Sequence, residues 1–340
     1  DVIPYDKTSN EILIEFARQT VSESDLNTFQ FIVKRRSAFS LDDRYRVQAV
    51  LKVPNLLDVR KNRAFSGTIK NTLTQIADQD LNIQHTQIGA SLNYEKNLLQ
   101  PNWTTAKFFQ YLKSNLVGRN GETGYSCFVD VVNGIPGFVF RSYIELMQAP
   151  IAANLIVGAE PYLDFLPVSQ YEIFDDSKLL DSMVSKKQNY HYFDYETGQS
   201  VYSDVELDEC PTLSEFILSE KDEPDKGLLY NNTGRSNQFT SNFEGRVKNH
   251  YFQTVNNYIH MWVTTWGMQN ISPGNLVQVV FSEGLASGQL FSFQHSGVWM
   301  VKRVVHIIGD SFQTRLLLTR AGVDTDIENS LLPAANRVVK

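Results

Sequence analysis

Alternating hydrophobic and polar residues run through most of this chain and predict an architecture built mainly from short β-strands. The last eighty residues show the pattern best, because two β-rich arms, 295–308 and 311–320, flank Gly309-Asp310. β-branched and aromatic residues such as Trp299 fit a pleated, half-buried surface, and Gly-Asp supplies the positive φ of a tight hairpin. A further strand follows the Pro-Gly turn at 273–274. We therefore predict a small closed barrel or sandwich at this end of the chain.

The first 95 residues have the same β-rich character. Residues 44–53 alternate over much of their length, and 65–70 open another predicted strand. Residues 80–88 alternate again, which would place Leu81 and His85 on one face of a strand. We predict that 1–95 form a first β-barrel domain.

Helical spacing appears after residue 102. Thr104 and Thr105 can cap a helix over 106–115, and its apolar stripe comprises Phe108, Phe109, Leu112 and Leu116. A hairpin is predicted over 125–140, with its turn at Asn133-Gly134, and a short helix over 143–148. These elements predict a mixed α+β domain over 96–250.

The α+β domain is predicted to continue with a strand at 171–174 and a helix over 177–186, followed by a tyrosine-rich hairpin over 190–202. Its polar, turn-rich stretch 209–242 is interpreted as a long surface loop, with helical structure over 242–255. A second β-barrel domain is predicted over 251–325, and 326–340 are interpreted as an extended tail. The fold class is therefore mainly β: two small antiparallel β-barrel domains plus a mixed α+β insertion.

Composition narrows the class of partner. Of the 340 residues, 42% are hydrophobic and 20% are charged, which is ordinary for a folded protein. The net charge of -7 argues against wholesale phosphate binding, which needs a clustered basic surface. Two short basic clusters, Lys34-Arg35-Arg36 and Arg60-Lys61 with Arg63, are interpreted as solvated strand ends or partner contacts.

The two cysteines and the apolar runs do not narrow the class of protein further. Cys127 lies in an apolar run and is interpreted as a small buried hydrophobic residue, whereas Cys210 precedes a proline in an acidic loop. Their spacing leaves open whether they pair. No apolar run approaches the ~18 residues of a membrane span, so no membrane association is predicted.

The sequence contains none of the short motifs that carry common chemistries. It has no phosphate-cradling Gly-rich loop, no His-Glu-x-x-His and no Cys-x-x-Cys, and its six histidines lack metal-ligand spacing. His260 and His306 fall in predicted strands and are interpreted as hydrogen-bonded wall residues. No catalytic, cofactor-binding or metal-binding residue is predicted, and the protein is not expected to be an enzyme.

Two alternatives involve sugars. Asp175-Asp176 and Asp194 with Glu196 could form a glycosidase carboxylate pair, but helix-cap and turn contexts explain them without catalysis. The tyrosine-dense segment 190–195 could be a sugar-binding platform, and a packed hairpin at a protein interface is the favoured interpretation.

Four segments near the end of the sequence form one pattern of turns and strands. They are the turn Ile271–Gly274 with Leu276–Val279, the strand Ser296–Val301, the segment Val304–Ile308 and the strand Phe312–Arg320. Together they resemble the closing strands of the central hub protein of contractile-tailed phage baseplates. The order of elements in the middle region is also similar. The chain further resembles the N-terminal barrel region of type VI secretion spike proteins.

This resemblance implies a structural role in the virion. The expected protein is a homotrimer whose six barrels form a ring that joins the sixfold tail tube to a threefold central spike. The implied partners are the tail tube or a tube-initiator protein and a separate spike protein, together with the tape-measure protein and baseplate wedge proteins. DNA would pass through the channel without specific binding, which agrees with the acidic balance of the chain. The expected location is the tail baseplate, assembled in the host cytoplasm.

Two other classes are kept as alternatives. A tail-tip or tail-associated protein of a non-contractile phage uses a similar barrel core. A carbohydrate-binding β-protein would need exposed aromatic residues in a cleft, whereas Trp262 and Trp266 fall in phase with a barrel wall.

Overall fold

A computed structural model describes most of the chain between residues 11 and 322. The described residues are 11–16, 27–38, 45–51, 59–132, 135–158, 165–176, 187–194, 198–207, 212–213, 231–232, 240–281, 295–308 and 311–322.

β-strands dominate these ranges and are joined by a few helices. The strands are β1 (Glu11–Phe16), β2 (Asn27–Ala38), β3 (Tyr45–Leu51), β4 (Arg60–Phe65), β5 (His85–Ile88), β6 (Leu98–Thr104), β7 (Tyr125–Val132), β8 (Ile135–Ser142), β9 (Ile151–Val157), β10 (Leu166–Asp175), β11 (Lys187–Asp194), β12 (Gln199–Glu206), β13 (Asn231–Asn232), β14 (Ile259–Trp266), β15 (Leu276–Phe281), β16 (Gly297–Ile308) and β17 (Phe312–Arg320). The helices are α1 (Ile69–Leu81), α2 (Thr105–Asn115), α3 (Tyr143–Met147) and α4 (Thr240–Val255), with a 3-10 turn over Ala90–Leu92.

Six strands close into a barrel in the order β10-β14-β17-β16-β15-β9. The predicted arms are confirmed as the antiparallel pair β16 and β17, with Ile308 opposite Phe312. The predicted Pro-Gly turn precedes β15, and Gly274 has the positive φ of 83° that favours glycine there. Strands β9 and β10 lie inside the segment predicted as 96–250, so the closed barrel is not contained within 251–325.

The barrel closes around a dry interior because alternate residues of its strands point inward. Met261 and Val263 from β14 meet Leu316 and Leu318 from β17 through the antiparallel register of the two strands. Trp299 from β16 is fully buried in the same cluster. The half-buried surface predicted for this strand is thus confirmed on its inward face.

A second unit packs helices against small sheets. It contains the sheet β5-β8-β7 and the two-stranded ribbon β4-β6, and its core includes Phe108 and Leu112 from α2 with Phe138 and Phe140 from β8. The predicted helix, hairpin and short helix are confirmed as α2, β7–β8 and α3. Ser142 begins α3 with a capping box to Glu145.

Helix α1 corrects the predicted strand at 65–70 and the beginning of the strand predicted at 80–88, whose end is confirmed as β5. The buried residues Ile69, Leu73 and Ile76 follow helical spacing, Thr68 caps the first turn, and Asn82 ends the helix in the left-handed conformation. Leu81 is therefore buried at the end of a helix, whereas His85 is exposed on β5. In a short window, the apolar positions of a strand coincide with those of a helix at several places, and this led to the wrong prediction for this segment.

The remaining sheets lie outside the barrel. β1, β2 and β3 form an antiparallel sheet, and the tyrosine-rich hairpin is confirmed as β11 and β12. The mainly β fold with a closed barrel and a few helices is thus confirmed. A barrel formed by 1–95, and the division into domains at 95, 250 and 325, stay predictions.

Several predicted features lie outside the described residues. They are the turns Asn133-Gly134 and Gly309-Asp310, the helix over 177–186, most of the loop 209–242 with Cys210, and the tail 326–340.

Helices α3 and α4 join the barrel to the second unit. Tyr143 and Leu146 from α3 pack with Phe252 from α4 against Leu276 and Met300 of the barrel. Asn249 of α4 accepts a hydrogen bond from the Gly124 amide and donates to the Ser114 carbonyl at the end of α2. The two units therefore share a packed, hydrogen-bonded junction.

Candidate interaction surfaces

An ion cluster inside the second unit is the densest group of charged side chains in the described part of the chain. Asp80 is fully buried on α1. It accepts hydrogen bonds from Lys61 at 2.5 Å, from Thr105 at 2.8 Å and from both terminal nitrogens of Arg63. Arg63 also donates from Nε to Gln100 at 2.8 Å. The cluster fastens β4 to the facing ends of α1 and α2.

Burial alone would raise the pKa of Asp80. The hydrogen bonds from Arg63, Lys61 and Thr105, with the positive charge of Arg63, outweigh that effect and hold the pKa below its ordinary value. Lys61 and Arg63 are therefore not the solvated strand ends predicted for this basic cluster, because they pair with Asp80. A contact between this cluster and a partner protein stays a prediction. The sequence analysis did not identify this cluster, because Arg63 and Lys61 lie 17 and 19 residues before Asp80 and only the fold brings the three side chains together.

The barrel buries a cation. Arg320, at the end of β17, is fully buried and donates to the Ser296 carbonyl at 2.9 Å. Its guanidinium lies 4.5 Å from the centre of the Trp299 ring, a favourable cation–π arrangement. The Trp299 indole donates to the His295 carbonyl at 3.0 Å. These contacts support the barrel wall.

Both predicted wall histidines lie on barrel strands, but only His306 is confirmed as hydrogen-bonded; the buried Nδ1 of His260 has no hydrogen-bond partner within the described residues. His306 lies 3.2 Å from the Thr314 hydroxyl across the β16–β17 pair, and burial lowers its pKa. Burial also lowers the pKa of His260, and the positive charge of Lys302 lowers it further. No group of three potential metal ligands occurs within the described ranges.

The candidate glycosidase carboxylates do not form a described site. Asp175 and Asp176 lie exposed at the end of β10, where the Asp176 amide donates to the Tyr258 carbonyl at 2.9 Å. Asp194 ends β11, and Glu196 lies outside the described residues. The Cys127 thiol is also unsuited to nucleophilic chemistry at neutral pH, because burial raises its pKa to about 12.

The best candidate for a sugar platform on the barrel is a shallow depression lined by Tyr171, Trp262 and Arg315. The Arg315 guanidinium lies 4.6 Å from the centre of the Trp262 ring. One face of this ring is thus already covered, and a sugar could not stack there. The depression gives the carbohydrate-binding alternative little support.

An apolar row marks the outer barrel surface. Trp266, Ile307 and Val305 are 52%, 43% and 38% exposed. The register places Trp266 opposite Gln313 on β17, and Gln313 opposite Ile307 on β16. Trp266 and Ile307 thus lie on either side of Gln313, two strands apart on the same face of the sheet. Exposed apolar side chains grouped on one face are typical of interaction surfaces. Of the helices described, none is both long and apolar enough to cross a lipid bilayer.

Structural similarity connects this fold to tail proteins. No protein-family model matches the sequence, and no curated protein matches it. A tail protein from Neisseria meningitidis MC58 is similar in structure, with 11% sequence identity, a TM-score of 0.54, and coverage of 92% of this chain and 88% of that chain. The 43 kDa tail protein of prophage MuSo2 from Shewanella oneidensis has 12% identity, a TM-score of 0.50 and the same coverage, 92% and 88%. The shared feature is the fold.

Proposed function

We propose that this protein is a structural component of a phage tail and that it resides in the virion. The observation that carries the proposal is the fold, which the chain shares along nearly its whole length with two tail proteins. The closed barrel with a packed apolar interior supports a scaffold role, since the buried Arg320 and Trp299 side chains are engaged in contacts within its wall. As part of this proposal, the protein has no catalytic role.

The specific role that we propose is the central hub of the baseplate. In this role a homotrimeric ring adapts the sixfold tail tube to the threefold spike, and DNA passes through the channel. The resemblance of the closing strands to those of hub proteins supports this role. The exposed row of Trp266, Val305 and Ile307 provides an outer barrel surface on which neighbouring subunits could pack.

Native mass spectrometry and electron microscopy of the purified protein test this role together. We expect three 38.7 kDa chains per particle and a threefold ring with a central channel. Ile307→Glu should shift the protein to monomers, because it places a charge in the apolar row. Ile135→Glu is the matched control, because Ile135 is also exposed but lies on β8.

The outcomes distinguish the general proposal, a structural tail protein, from the specific one, the baseplate hub. A wild-type monomer that stays monomeric with tube and spike proteins would contradict the hub and leave a tail-tip role. If Ile135→Glu dissociated the trimer and Ile307→Glu did not, the contact between subunits would lie outside the barrel. A murein-cleavage assay tests the absence of catalysis, and turnover that is lost on substitution of Asp175 or Asp176 would contradict it.

A further inference from the structure

Strand β7 has a free edge. In the sheet β5-β8-β7 it pairs with β8 along its whole length, and no described strand pairs with its other edge. In an antiparallel pair, alternate residues direct their amide and carbonyl groups away from the partner strand. A free edge of eight residues is a template for the backbone of another extended segment.

A groove lies between this strand and helix α2. At one end, a cavity of about 330 Å³ is lined mainly by apolar side chains, among them Ala106 and Phe109 of α2, Val129 of β7 and Phe138 of β8. Cys127 and Val129 on the strand are only half buried. The apolar floor is therefore accessible to a side chain from outside.

The groove continues towards the barrel and becomes basic. A second cavity, of about 340 Å³, shares Lys113, Cys127 and Phe128 with the first and extends to Lys302 on β16. No carboxylate among the described residues forms an ion pair with Lys113 or Lys302. The Lys302 ammonium donates only to the neutral Asn257 amide oxygen, at 2.6 Å. Lys302 is exposed overall, and partial desolvation in the groove, together with the nearby charge of Lys113, lowers its pKa, so a negative group here would relieve an unfavourable interaction.

Two buried polar atoms belong to side chains of the same cavity wall. Within the described residues, the Tyr143 hydroxyl and the Asn256 side-chain oxygen have no hydrogen-bond partner. Buried polar groups are normally satisfied. This end of the groove thus offers both positive charge and unused hydrogen-bonding capacity.

We propose that the groove between α2 and β7 binds an extended acidic segment of a partner protein by strand addition. The segment pairs with the free edge of β7, inserts a large apolar side chain into the cavity beside Ala106 and Phe109, and places a carboxylate between Lys113 and Lys302. Adjacent side chains on one face of a strand are about 7 Å apart, so a short segment provides both groups. Its backbone supplies affinity, and its apolar and acidic residues supply specificity.

Selection from random dodecapeptides displayed on yeast tests the proposal with the full chain as bait. Recovered peptides should combine a large apolar residue with an acidic residue. Their synthetic forms should bind Lys113→Glu and Lys302→Glu about tenfold or more weakly than the wild type. Lys70→Glu on the exposed face of α1 is the charge-matched control and should bind like the wild type.

Two further measurements separate strand addition from other contacts. Ala106→Trp fills the apolar cavity from a helical position and should abolish binding while the melting temperature stays unchanged. Hydrogen exchange on the complex should slow at the amides of β7. Melting curves of each lysine variant show whether it is folded, and Lys113, which has no hydrogen-bond role in the junction, provides the decisive comparison.

Three results would overturn the proposal. They are the failure to recover any binding peptide, binding that survives both Ala106→Trp and Lys113→Glu, and slowed exchange outside β7. Protection of β7 that grows with protein concentration in the absence of peptide would assign the groove to a second copy of the chain instead.

Discussion

The barrel and the helix-covered sheet each bury a charged side chain, and they accommodate it differently. In the sheet unit, the carboxylate of Asp80 is surrounded by Lys61, Arg63 and Thr105. In the barrel, the guanidinium of Arg320 contacts the Ser296 carbonyl and the face of Trp299. A carboxylate is strongly hydrated in water and needs several donors when buried, whereas the planar guanidinium is weakly hydrated and stacks on aromatic rings.

This difference determines which substitutions should destabilise each unit. The stability of the barrel depends on packing around Trp299, which also provides the surface on which Arg320 rests. The stability of the sheet unit depends on an ion cluster that ties β4 to two helices. Substitutions in the barrel should therefore act through lost volume, and substitutions in the sheet unit should act through charge and pH.

The largest effect is expected for Trp299→Ala. Loss of a fully buried tryptophan should lower the free energy of unfolding by about 3–5 kcal/mol, and amide exchange should show the loss in barrel strands first. Phe174→Ala is the matched control, because Phe174 is exposed on β10 of the same barrel and lies outside the row of Trp266, Val305 and Ile307; it should change stability by about 0.5 kcal/mol or less. Equal effects of the two substitutions would show that volume inside the barrel is not what stabilises it.

Asp80→Asn should come next, at about 2–3 kcal/mol, because hydrogen bonds to a charged group are worth more than neutral ones. Its neighbour Asp78 is exposed on the same helix, and Asp78→Asn should have little effect. The folded-state pKa of Asp80 lies below its unfolded value of about 3.8. The stabilisation is therefore complete above that value and is lost as the pH falls through the lower, folded-state pKa.

Chemical denaturation at several pH values measures this linkage. The difference between wild type and Asp80→Asn should be constant near neutral pH and shrink below about pH 4. A difference that persists in strong acid would mean that Asp80 stabilises the unit by shape instead of charge.

Thr104→Ala should cost about 1 kcal/mol and act on the sheet unit alone. The Thr104 hydroxyl accepts the Lys107 amide at 3.3 Å and caps α2, and loss of such a cap typically has this size. Thr74→Ala in the middle of α1 is the control, since its hydroxyl bonds back to the Lys70 carbonyl and caps nothing. Exchange rates in α2 should rise while barrel rates stay unchanged.

The smallest effect is a pH dependence of the barrel. Burial lowers the folded-state pKa of His306 and His260 below their ordinary value of 6.5. Their neutral forms are therefore favoured in the fold, and the barrel should lose stability as the pH falls below about 6.5. His306→Gln should reduce this loss, whereas His85→Gln, at an exposed position in the sheet unit, should not. An unchanged pH profile in His306→Gln would exclude this histidine as its source.

Much of the local structure followed from residue patterns. The two arms of the β16–β17 pair and the apolar stripe of α2 were predictable from the sequence, because period-two and helical spacing are local properties. The sequence offered both Thr104 and Thr105 as caps of α2, and the structure assigns the cap to Thr104. Helix α1 was missed because these spacings are local. Its window also satisfied a strand pattern, and burial of Ile69 and Leu73 against α2 and β8 decided between them.

The sequence by itself determined which strands and helices could form, and that the chain would bury an apolar core. Only the tertiary structure decided that β9 and β10 complete the barrel through parallel pairings with β15 and with each other. It also decided that Asp80 meets Lys61 and Arg63, and that Lys113 and Lys302 line one groove although 189 positions separate them. Local patterns depend on neighbours along the chain, whereas barrel closure and paired charges depend on contacts between distant segments, which no periodicity records.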